Sequence, residues 1–271
     1  MLLRTSVAGH FGELMQGRLG QHGPVVLVTL PCPALCVHAR AVPSLRTEIY
    51  SPQRILSAQR ARRFRHGIQA PTQQRITLHS DMPPGGGAGA STAALVALAQ
   101  LSGRRIDPAD LAKACLKIEG ATDPLMFPQP EQMLWASRQA RVISPLPVLP
   151  KIEVIGGFFG PLCTTMPGDE NFADISDLVP QWTQATHDQD LKTIAQLTTT
   201  SALRNLKQRG IANDPTIEMA RNLNALGVVM AHTGAARGLI FAPNSVPLRA
   251  RATLKSAGFS RLVQFKAGGN G

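Results

Sequence analysis

The sequence predicts an α+β protein, a two-layer sandwich of the split βαβ type divided into two lobes. Short apolar runs rich in β-branched residues alternate with helical segments along the whole chain, and this order is typical of such sandwiches. A length of 271 residues is enough for two domains of ordinary size around an ample core. We place the boundary at Pro145-Leu146-Pro147, which gives lobes of residues 1–146 and 147–271.

The first half is strand-rich and contains three predicted helices. Alternating or β-branched runs predict strands, and N-cap residues or Ala/Leu-rich runs predict helices. Asp107 as N-cap and Pro108 in the first helical position mark the third helix, which ends at Glu119. The predicted strands are residues 25–30, 36–41, 46–50 and 75–79, and the first two helices are residues 57–65 and 91–101.

In the second half of the chain, predicted strands and predicted helices alternate. Glycine, proline and acidic N-cap residues separate the runs. The predicted strands are residues 140–143, 151–159, 228–233, 238–242 and 262–266, and the predicted helices are residues 191–208, 215–226 and 248–256.

The composition points to an anionic partner. Lys and Arg number 28 against 17 Asp and Glu, so the formal net charge is +11. RNA-binding sheets usually add stacking aromatic residues, which are only 4% of this chain, and a polyphosphate substrate fits the charge equally well. The basic run from Arg60 to His66 is interpreted first as a solvated helix face and second as a phosphate patch.

The sequence shows no targeting or membrane signal. No apolar run approaches the roughly 18 residues of a membrane span, and the N-terminus lacks the features of a signal peptide. We therefore expect a cytoplasmic protein with no membrane partner. The four cysteines are too few and too irregular for a disulfide framework or a zinc site, and we expect reduced, mostly buried thiols.

A glycine-rich turn lies between a predicted strand and a predicted helix. Four of its five positions from Gly85 to Gly89 are glycine, preceded by Pro83-Pro84. Glycine lets backbone N–H groups approach a ligand without interference from a Cβ atom. The helix that follows adds the positive end of its dipole, which favours a bound anion such as phosphate.

Two known phosphate-binding patterns, and a turn that binds no ligand, are the alternatives for this segment. A Walker A loop is excluded because no lysine occurs before Gly103. Gly85, Gly87 and Ala90 have the spacing of the dinucleotide-binding motif G-x-G-x-x-G/A. That motif also requires an acidic residue at the end of a strand about 20 residues later, and none is present here. A tight turn without a ligand remains open, although it would need only one or two glycines.

The turn also resembles a family motif. The segment from Pro83 to Ala93 is similar to P-x3-G-L-G-S-S-A-A of the GHMP kinases, with Ala88 and Ala90 in place of Leu and the first Ser. Three further stretches resemble motifs of the L-threonine kinase branch, in the same order along the chain. They are Gly12-Glu13-Leu14-Met15-Gln16-Gly17, Glu119-Gly120-Ala121-Thr122-Asp123-Pro124 and Ala231-His232-Thr233-Gly234-Ala235-Ala236-Arg237-Gly238-Leu239.

The resemblance implies a fold and a site. It implies an N-terminal ribosomal S5 domain 2-like lobe that binds ATP and a C-terminal ferredoxin-like lobe. It assigns Mg²⁺ to Ser91 and Glu119, which suits a hard cation, and the catalytic base to Asp123. The implied ATP-binding residues are Pro84, Gly85, Gly86, Gly87, Ala88, Gly89, Ala90, Ser91 and Thr92, and the implied acceptor-binding residues are Glu13, Gln16, Thr233, Gly234 and Arg237, with His10 beside them.

The predicted function is ATP-dependent phosphorylation of a small alcohol, with L-threonine for cobalamin assembly as the first choice of acceptor. The alternatives are a GHMP kinase for another alcohol such as homoserine, a basic nucleic-acid-binding protein, and a nucleotide-binding protein that has lost its chemistry. His232 is expected to be a core histidine without a chemical role. An orienting role for Asp123 in its turn is the alternative to a base.

Overall fold

The computed structural model describes residues 2–163, 166, 168–169, 171–209 and 213–269. These residues form the mixed α+β fold that the sequence predicts. The strands are β1 Leu3–Arg18, β2 Val25–Pro43, β3 Glu48–Tyr50, β4 Gln74–Ser80, β5 Met133–Ala136, β6 Arg141–Pro145, β7 Ile152–Phe158, β8 Gly227–Met230, β9 Ala236–Phe241 and β10 Ser260–Ala267. The helices are α1 Ala58–Gly67, α2 Ala90–Gln100, α3 Pro108–Glu119, α4 Leu178–His187, α5 Leu191–Arg209, α6 Thr216–Asn222 and α7 Ala250–Ser256, with a 3₁₀ turn at Pro130–Gln132.

The strands form one curled sheet that runs through both halves of the chain. Its order is β10-β7-β9-β8-β1-β2-β4-β3, and β5 joins β2 and β6 to the side. The pairing of β1 with β8, at Glu13 and Met230, connects the two halves. The boundary predicted at Pro145-Leu146-Pro147 falls between β6 and β7, and it stays a prediction.

Helices pack against the sheet. α2 packs on β1 and β2, α5 packs on β1 and β8, and α7 packs on β7 and β10. The predicted cap of α3 is present, since the Asp107 side chain accepts a hydrogen bond from the Ala109 amide at 2.8 Å. Ser57, predicted as the first residue of its helix, is instead the N-cap of α1. α3 ends at Glu119 because Gly120 adopts the left-handed conformation.

Most predicted elements are present within a few residues of their predicted ends, but three were missed. These are β1, β5 and α4, and residues 25–30 and 36–41 are parts of one long strand, β2. β1 escaped prediction because its residues 9–17 are all buried, including polar ones. A strand buried on both faces lacks the alternation by which strands are recognised.

Phe11 lies at the junction of the two halves. Its ring is fully buried and makes edge contacts with Phe158 of β7 and Phe265 of β10, with centroids 5.7 Å apart in both pairs. Gly156 and Gly238 leave room for this ring, since a Cβ atom built on them would lie 2.6 and 3.2 Å from its edge carbon. One aromatic side chain of β1 therefore packs against two strands of the second half.

No helix in the described part of the chain is long and apolar enough to cross a bilayer. The four cysteines all lie in described residues, and none forms a disulfide. Cys32 and Cys115 are buried, as expected, whereas Cys163 is exposed.

Replacing Phe11 by Ala is expected to destabilise the protein by about 3–5 kcal/mol, because it leaves a cavity between the halves. Urea unfolding followed by circular dichroism measures the change. Tyr50→Ala is the control, because Tyr50 is 62% exposed and its loss should cost no more than about 0.5 kcal/mol. A loss for Phe11→Ala as small as that of the control would contradict this account of the core.

Candidate functional site

A cleft of about 620 Å³ collects side chains from both halves of the sheet. This volume lies in the range of small-molecule sites. Its walls come from β1, the start of α1, the glycine turn, the end of α3, the β5–β6 turn and the loop after β8. The polar and aromatic members are His10, Glu13, Arg54, Ser57, Arg60, Ser91, Thr92, Glu119, Asp123, Ser137, Arg138, Phe172, His232 and Thr233.

The glycine turn forms a continuous part of this wall, from residue 83 to residue 92. Gly85, Gly87 and Gly89 have φ values of 75°, 73° and 73°, in the left-handed region that favours glycine. Gly89 is the N-cap of α2, and no side chain caps the first turn of this helix. Ser91 therefore lies inside the first turn and is not the N-cap. The amide end of α2 faces the cleft, where an anion is favoured.

The glycines of the turn are also required by packing against the protein itself. A Cβ atom on Gly87 would lie 2.3 Å from the Ala231 Cβ atom, and one on Gly86 would lie 2.7 Å from the Phe158 ring. A Cβ atom on Gly89 would lie 2.5 Å from the His10 ring. The sequence argument ascribed the surplus glycines to a ligand, but close approach of neighbouring chain explains them as well.

Two carboxylates and two hydroxyl groups meet beside the turn. Thr92 Oγ1 lies 2.9 Å from Glu119 Oε2 and 3.3 Å from Asp123 Oδ2, and Ser91 also forms a hydrogen bond with Glu119. Burial raises the pKa of Glu119 to about 7, with Ser91 opposing the rise and Asp123 adding to it. A nearby cation would favour the ionised form of this carboxyl group.

Ser91 and Glu119 fit a Mg²⁺ ion. Both offer oxygen atoms, the ligands that this hard cation prefers. Both line the cleft next to the turn. Their assignment as metal ligands rests on this donor chemistry and is a proposal.

His10 pairs with Asp123, a contact that sequence reasoning missed. His10 Nε2 lies 3.3 Å from Asp123 Oδ2, and Nδ1 lies 3.5 Å from Glu13 Oε1. Burial opposes charge on the imidazole, but Asp123 and then Glu13 outweigh it and raise the pKa of His10 to about 9. Burial likewise opposes the ionised form of Asp123, yet His10 holds the pKa of Asp123 below its usual value. The pair is therefore an imidazolium and a carboxylate at neutral pH.

Glu13 completes this group from β1. Burial raises the pKa of Glu13 to about 8, His10 opposes the rise and Asp123 adds to it. Its Oε2 atom is buried without a hydrogen-bond partner among the described residues. His10, Glu13 and Asp123 lie close enough together to share a metal ion, and His10 is also within ion-pair distance of both carboxyl groups.

The glycine turn and the carboxylates beside it lie in a segment that is similar to a known family. Residues 54–127 match the family model of the GHMP kinases N terminal domain. The match includes Arg54, the glycine turn, Glu119 and Asp123. Residues 54–127 therefore resemble the N-terminal domain of the GHMP kinases. Among curated proteins, no sequence matches the chain.

Solved structures show the same fold over the whole chain. Mevalonate kinase from L. major in complex with R-mevalonate has a TM-score of 0.66 at 13% identity, covering 98% of this chain and 95% of that chain. Mevalonate kinase from methicillin-resistant Staphylococcus aureus has a TM-score of 0.62 at 14% identity, covering 99% of both chains. Homoserine kinase from Cytophaga hutchinsonii has a TM-score of 0.59 at 16% identity, covering 98% and 94%. The described residues of both halves therefore adopt the GHMP kinase fold.

Within this GHMP kinase fold, the N-terminal motif joins the two halves of the sheet. Gln16, predicted to bind the acceptor, is 2% exposed and donates from Nε2 to the Met230 carbonyl at 2.9 Å. Gly12 leaves room for the same strand, since a Cβ atom on it would lie 2.5 Å from the Met230 carbonyl carbon. Of the two acceptor residues predicted here, the structure brings Glu13 to the cleft and places Gln16 behind it.

The C-terminal motif, residues 231–239, is divided in the same way: part of it lines the cleft and part of it packs behind the turn. Thr233 lines the cleft, whereas Gly234 packs behind the turn, where a Cβ atom on it would lie 2.2 Å from the Gly87 nitrogen. Arg237 was expected to reach a phosphate or a carboxylate of the acceptor. It is 3% exposed, donates from Nε to Asp214 Oδ2 at 2.8 Å and from Nη1 to the Gly234 carbonyl at 2.9 Å. This correction makes Arg237 a support of the loop, because its charge is already neutralised inside the protein.

An aromatic and basic part of the wall was not predicted. The Phe172 and His232 rings stack with centroids 3.8 Å apart and an interplanar angle of 2°. The Arg138 Cζ atom lies over the Phe172 ring, 5.2 Å from the ring centroid. Arg60, from the basic run of α1, also reaches the cleft, while Arg65 of the same run is buried. No motif pointed to Arg138 or Phe172.

The close packing of the turn predicts that Gly87→Ala destabilises the protein more than backbone strain alone explains. Gly103 is the matched control, because its φ is 69° but a Cβ atom there meets nothing within 4 Å. Gly103→Ala should lower the free energy of unfolding by about 1 kcal/mol. Urea unfolding of both variants makes the comparison. Equal effects of the two substitutions would show that the close approach to Ala231 is unimportant.

The raised pKa of His10 predicts a pH dependence of stability. The stabilising contribution of His10 to the free energy of unfolding is complete below pH about 6.5, the ordinary pKa of histidine. It is lost as the pH rises to about 9, the pKa of His10 in the folded protein. His10→Gln should therefore flatten the decline in unfolding free energy between these limits. Urea unfolding at several pH values measures the slope. An identical slope in the variant would contradict the ion pair with Asp123.

Proposed function

We propose that this protein is an ATP-dependent kinase that phosphorylates the hydroxyl group of a small molecule. The observation that carries the proposal is the glycine turn at the amide end of α2, in one cleft with Glu119 and Asp123. Phosphoryl transfer requires a phosphate cradle, a metal site and an oriented nucleophile. The cleft offers residues for each of the three.

The triphosphate is proposed to lie along residues 84–92. Backbone N–H groups and the dipole of α2 stabilise its charge. The cations of Arg54 and Arg60 line the same cleft. Leu27, Ile55 and Leu56 give it an apolar wall against which a nucleobase can pack.

Mg²⁺ is proposed to bind to Ser91 and Glu119. When bound, it neutralises charge that builds on the transferred phosphoryl group. Ionised Glu119 is the form that binds a cation, and its pKa of about 7 makes that form available at neutral pH.

Asp123 is proposed to accept the proton of the acceptor hydroxyl. The hydroxyl oxygen forms a bond to the γ-phosphorus, the bond to the β–γ bridging oxygen breaks, and ADP leaves. The proton moves to Asp123 and then to solvent. His10 keeps Asp123 ionised and oriented before the transfer.

L-Threonine is the proposed acceptor, because four stretches of the sequence resemble the motifs of the L-threonine kinase branch. Homoserine is the alternative, and the solved structures with a similar fold include a homoserine kinase and a mevalonate kinase. The direct test incubates the protein with Mg-ATP and each acceptor. Formation of O-phosphothreonine, detected by ³¹P NMR, is the expected result, and no phosphorylated product from a panel of amino acids and alcohols would refute the kinase proposal.

Asp123→Asn is expected to lower kcat at least about 10²-fold, the usual scale for a lost general base, while the affinity for ATP is kept. Steady-state kinetics and nucleotide titration measure the two quantities. Asp110→Asn is the matched control, because Asp110 is an exposed carboxylate on α3 and should not affect turnover. An unchanged kcat in Asp123→Asn would remove Asp123 from the chemistry.

A further inference from the structure

One face of the sheet formed by β1 to β4 has no role in the proposed kinase reaction. β2 and β4 alternate between buried residues and residues open to solvent, over residues 36–42 and 75–80. Such alternation places one face of a sheet on the core and the other in solvent. The solvent-side surface, which we term the basic face, consists of Arg4, Ser6, His38, Arg40, Tyr50, Arg75, Thr77 and His79.

Two arginines stand directly opposite each other on the basic face. Arg4 of β1 is the register partner of Arg40 of β2, and both residues are exposed. Neither forms an ion pair with a described residue. Like charges at directly opposite positions destabilise a sheet. An anion that binds both guanidinium groups removes this repulsion.

The carboxylates at the border of the basic face are already engaged by other partners. Glu48 pairs with Arg75 at 2.6 Å, and Asp81 pairs with His38 at 3.0 Å. The arginine pair of β1 and β2 therefore remains a local excess of positive charge. The ATP cleft uses none of this charge, since no residue of the basic face lines it.

Exposed rings lie beside the arginine pair. Tyr50 of β3 is 62% exposed, and it is the register partner of Thr77, which lies opposite Arg40. The rings of His38 and His79 stack at a centroid distance of 6.5 Å, two positions along the same strands. In single-stranded nucleic acid, bases stack on such rings while arginines bind the phosphates. The basic face offers both kinds of group side by side.

The basic face ends at a cavity of about 430 Å³. Val42, the register partner of Arg75, joins the cavity to the face. The Gln74 side chain is fixed in the wall, because its Oε1 atom accepts a hydrogen bond from Nη2 of the buried Arg65 at 2.7 Å. The apolar and amide groups of the wall suit an unstacked base, whose edge carries donors and acceptors. The lining residues are Val42, Pro43, Pro71, Thr72, Gln73 and Gln74.

We propose that the basic face binds single-stranded nucleic acid, with Arg4 and Arg40 on the phosphates and Tyr50 against a base. The bound strand crosses β1, β2, β4 and β3, which are neighbours in this order in the sheet. Guanidinium contacts with phosphates and a stacking ring read no base edge, so the binding tolerates many sequences. This activity goes beyond the proposed kinase function and does not depend on it.

Fluorescence anisotropy of the whole protein with a labelled RNA of about 12 nucleotides, and with the DNA of the same sequence, tests the proposal. Saturable binding that weakens with salt is expected. Binding of either strand supports the proposal, and the tighter one identifies the sugar. No saturable binding of either strand would overturn it.

Arg4→Gln combined with Arg40→Gln should weaken binding at least about 10-fold. It should also reduce the slope of log K against log salt by about 1.4, the value for two phosphate contacts with a single strand. Tyr50→Ala should weaken binding about 5-fold or more and leave the slope unchanged. Urea unfolding confirms that the variants are folded, because loss of the like-charge pair should not lower stability.

Arg62→Gln combined with Arg63→Gln is the matched control. Both arginines are exposed on α1, so this variant loses the same charge away from the basic face. Its affinity should stay within about 2-fold of that of the unaltered protein. Equal weakening in the two double variants would overturn the proposal, because it would show attraction by overall charge alone.

Competition experiments identify the site and the class of partner. Saturating Mg-ATP should not displace the labelled strand, and displacement would place the nucleic acid in the cleft and overturn the proposal. Polyglutamate and phosphatidylserine vesicles should compete at least about 10-fold less well than unlabelled strand, because they offer no bases to stack. Equal competition would show an acidic peptide or a membrane as the partner instead. None of these measurements requires turnover, so a negative result leaves the kinase proposal standing.

Discussion

The glycine turn is held in place by backbone hydrogen bonds with two strands of the sheet, β1 and β9. The His10 amide of β1 donates to the Ala88 carbonyl at 3.1 Å, and the Ala236 amide of β9 donates to the Gly86 carbonyl at 2.9 Å. No side chain larger than hydrogen fits at Gly87 or Gly234 without displacing the other segment. This close approach sets the position of α2, and with it the direction in which the amide end of the helix faces.

The contact between β1 and the glycine turn also brings the charged side chains of His10 and Asp123 together. His10 follows Gly9 at the point where β1 meets the turn, and it thereby reaches Asp123 beyond the end of α3. Gly9 is itself constrained, since a Cβ atom there would lie 2.4 Å from the Ala88 carbonyl oxygen. A buried ion pair is costly to desolvate and is favourable only when its geometry is well defined. The backbone packing around the turn supplies that geometry.

Three stretches that are separate in the sequence thus form one structural unit. The N-terminal motif contributes His10, Glu13 and the strand that carries them; the central motif contributes the turn; the C-terminal motif contributes Ala231 and Gly234 behind it. Several of these residues act on each other and not on a ligand. Gln16 joins β1 to β8, and Arg237 neutralises Asp214 and holds the Gly234 carbonyl.

The sequence by itself determined the local features: the cap of α3, most strands, the turn at the start of α2, and Glu119 and Asp123 near the end of α3. These depend on residues within a few positions of each other, where cap preferences and glycine conformations act. Only the tertiary structure decided which polar residues face the cleft, that His10 pairs with Asp123, and that Arg138 lies over Phe172. Such contacts join residues far apart in the chain, and polar side chains on a fully buried strand such as β1 carry no periodic pattern that reveals their direction.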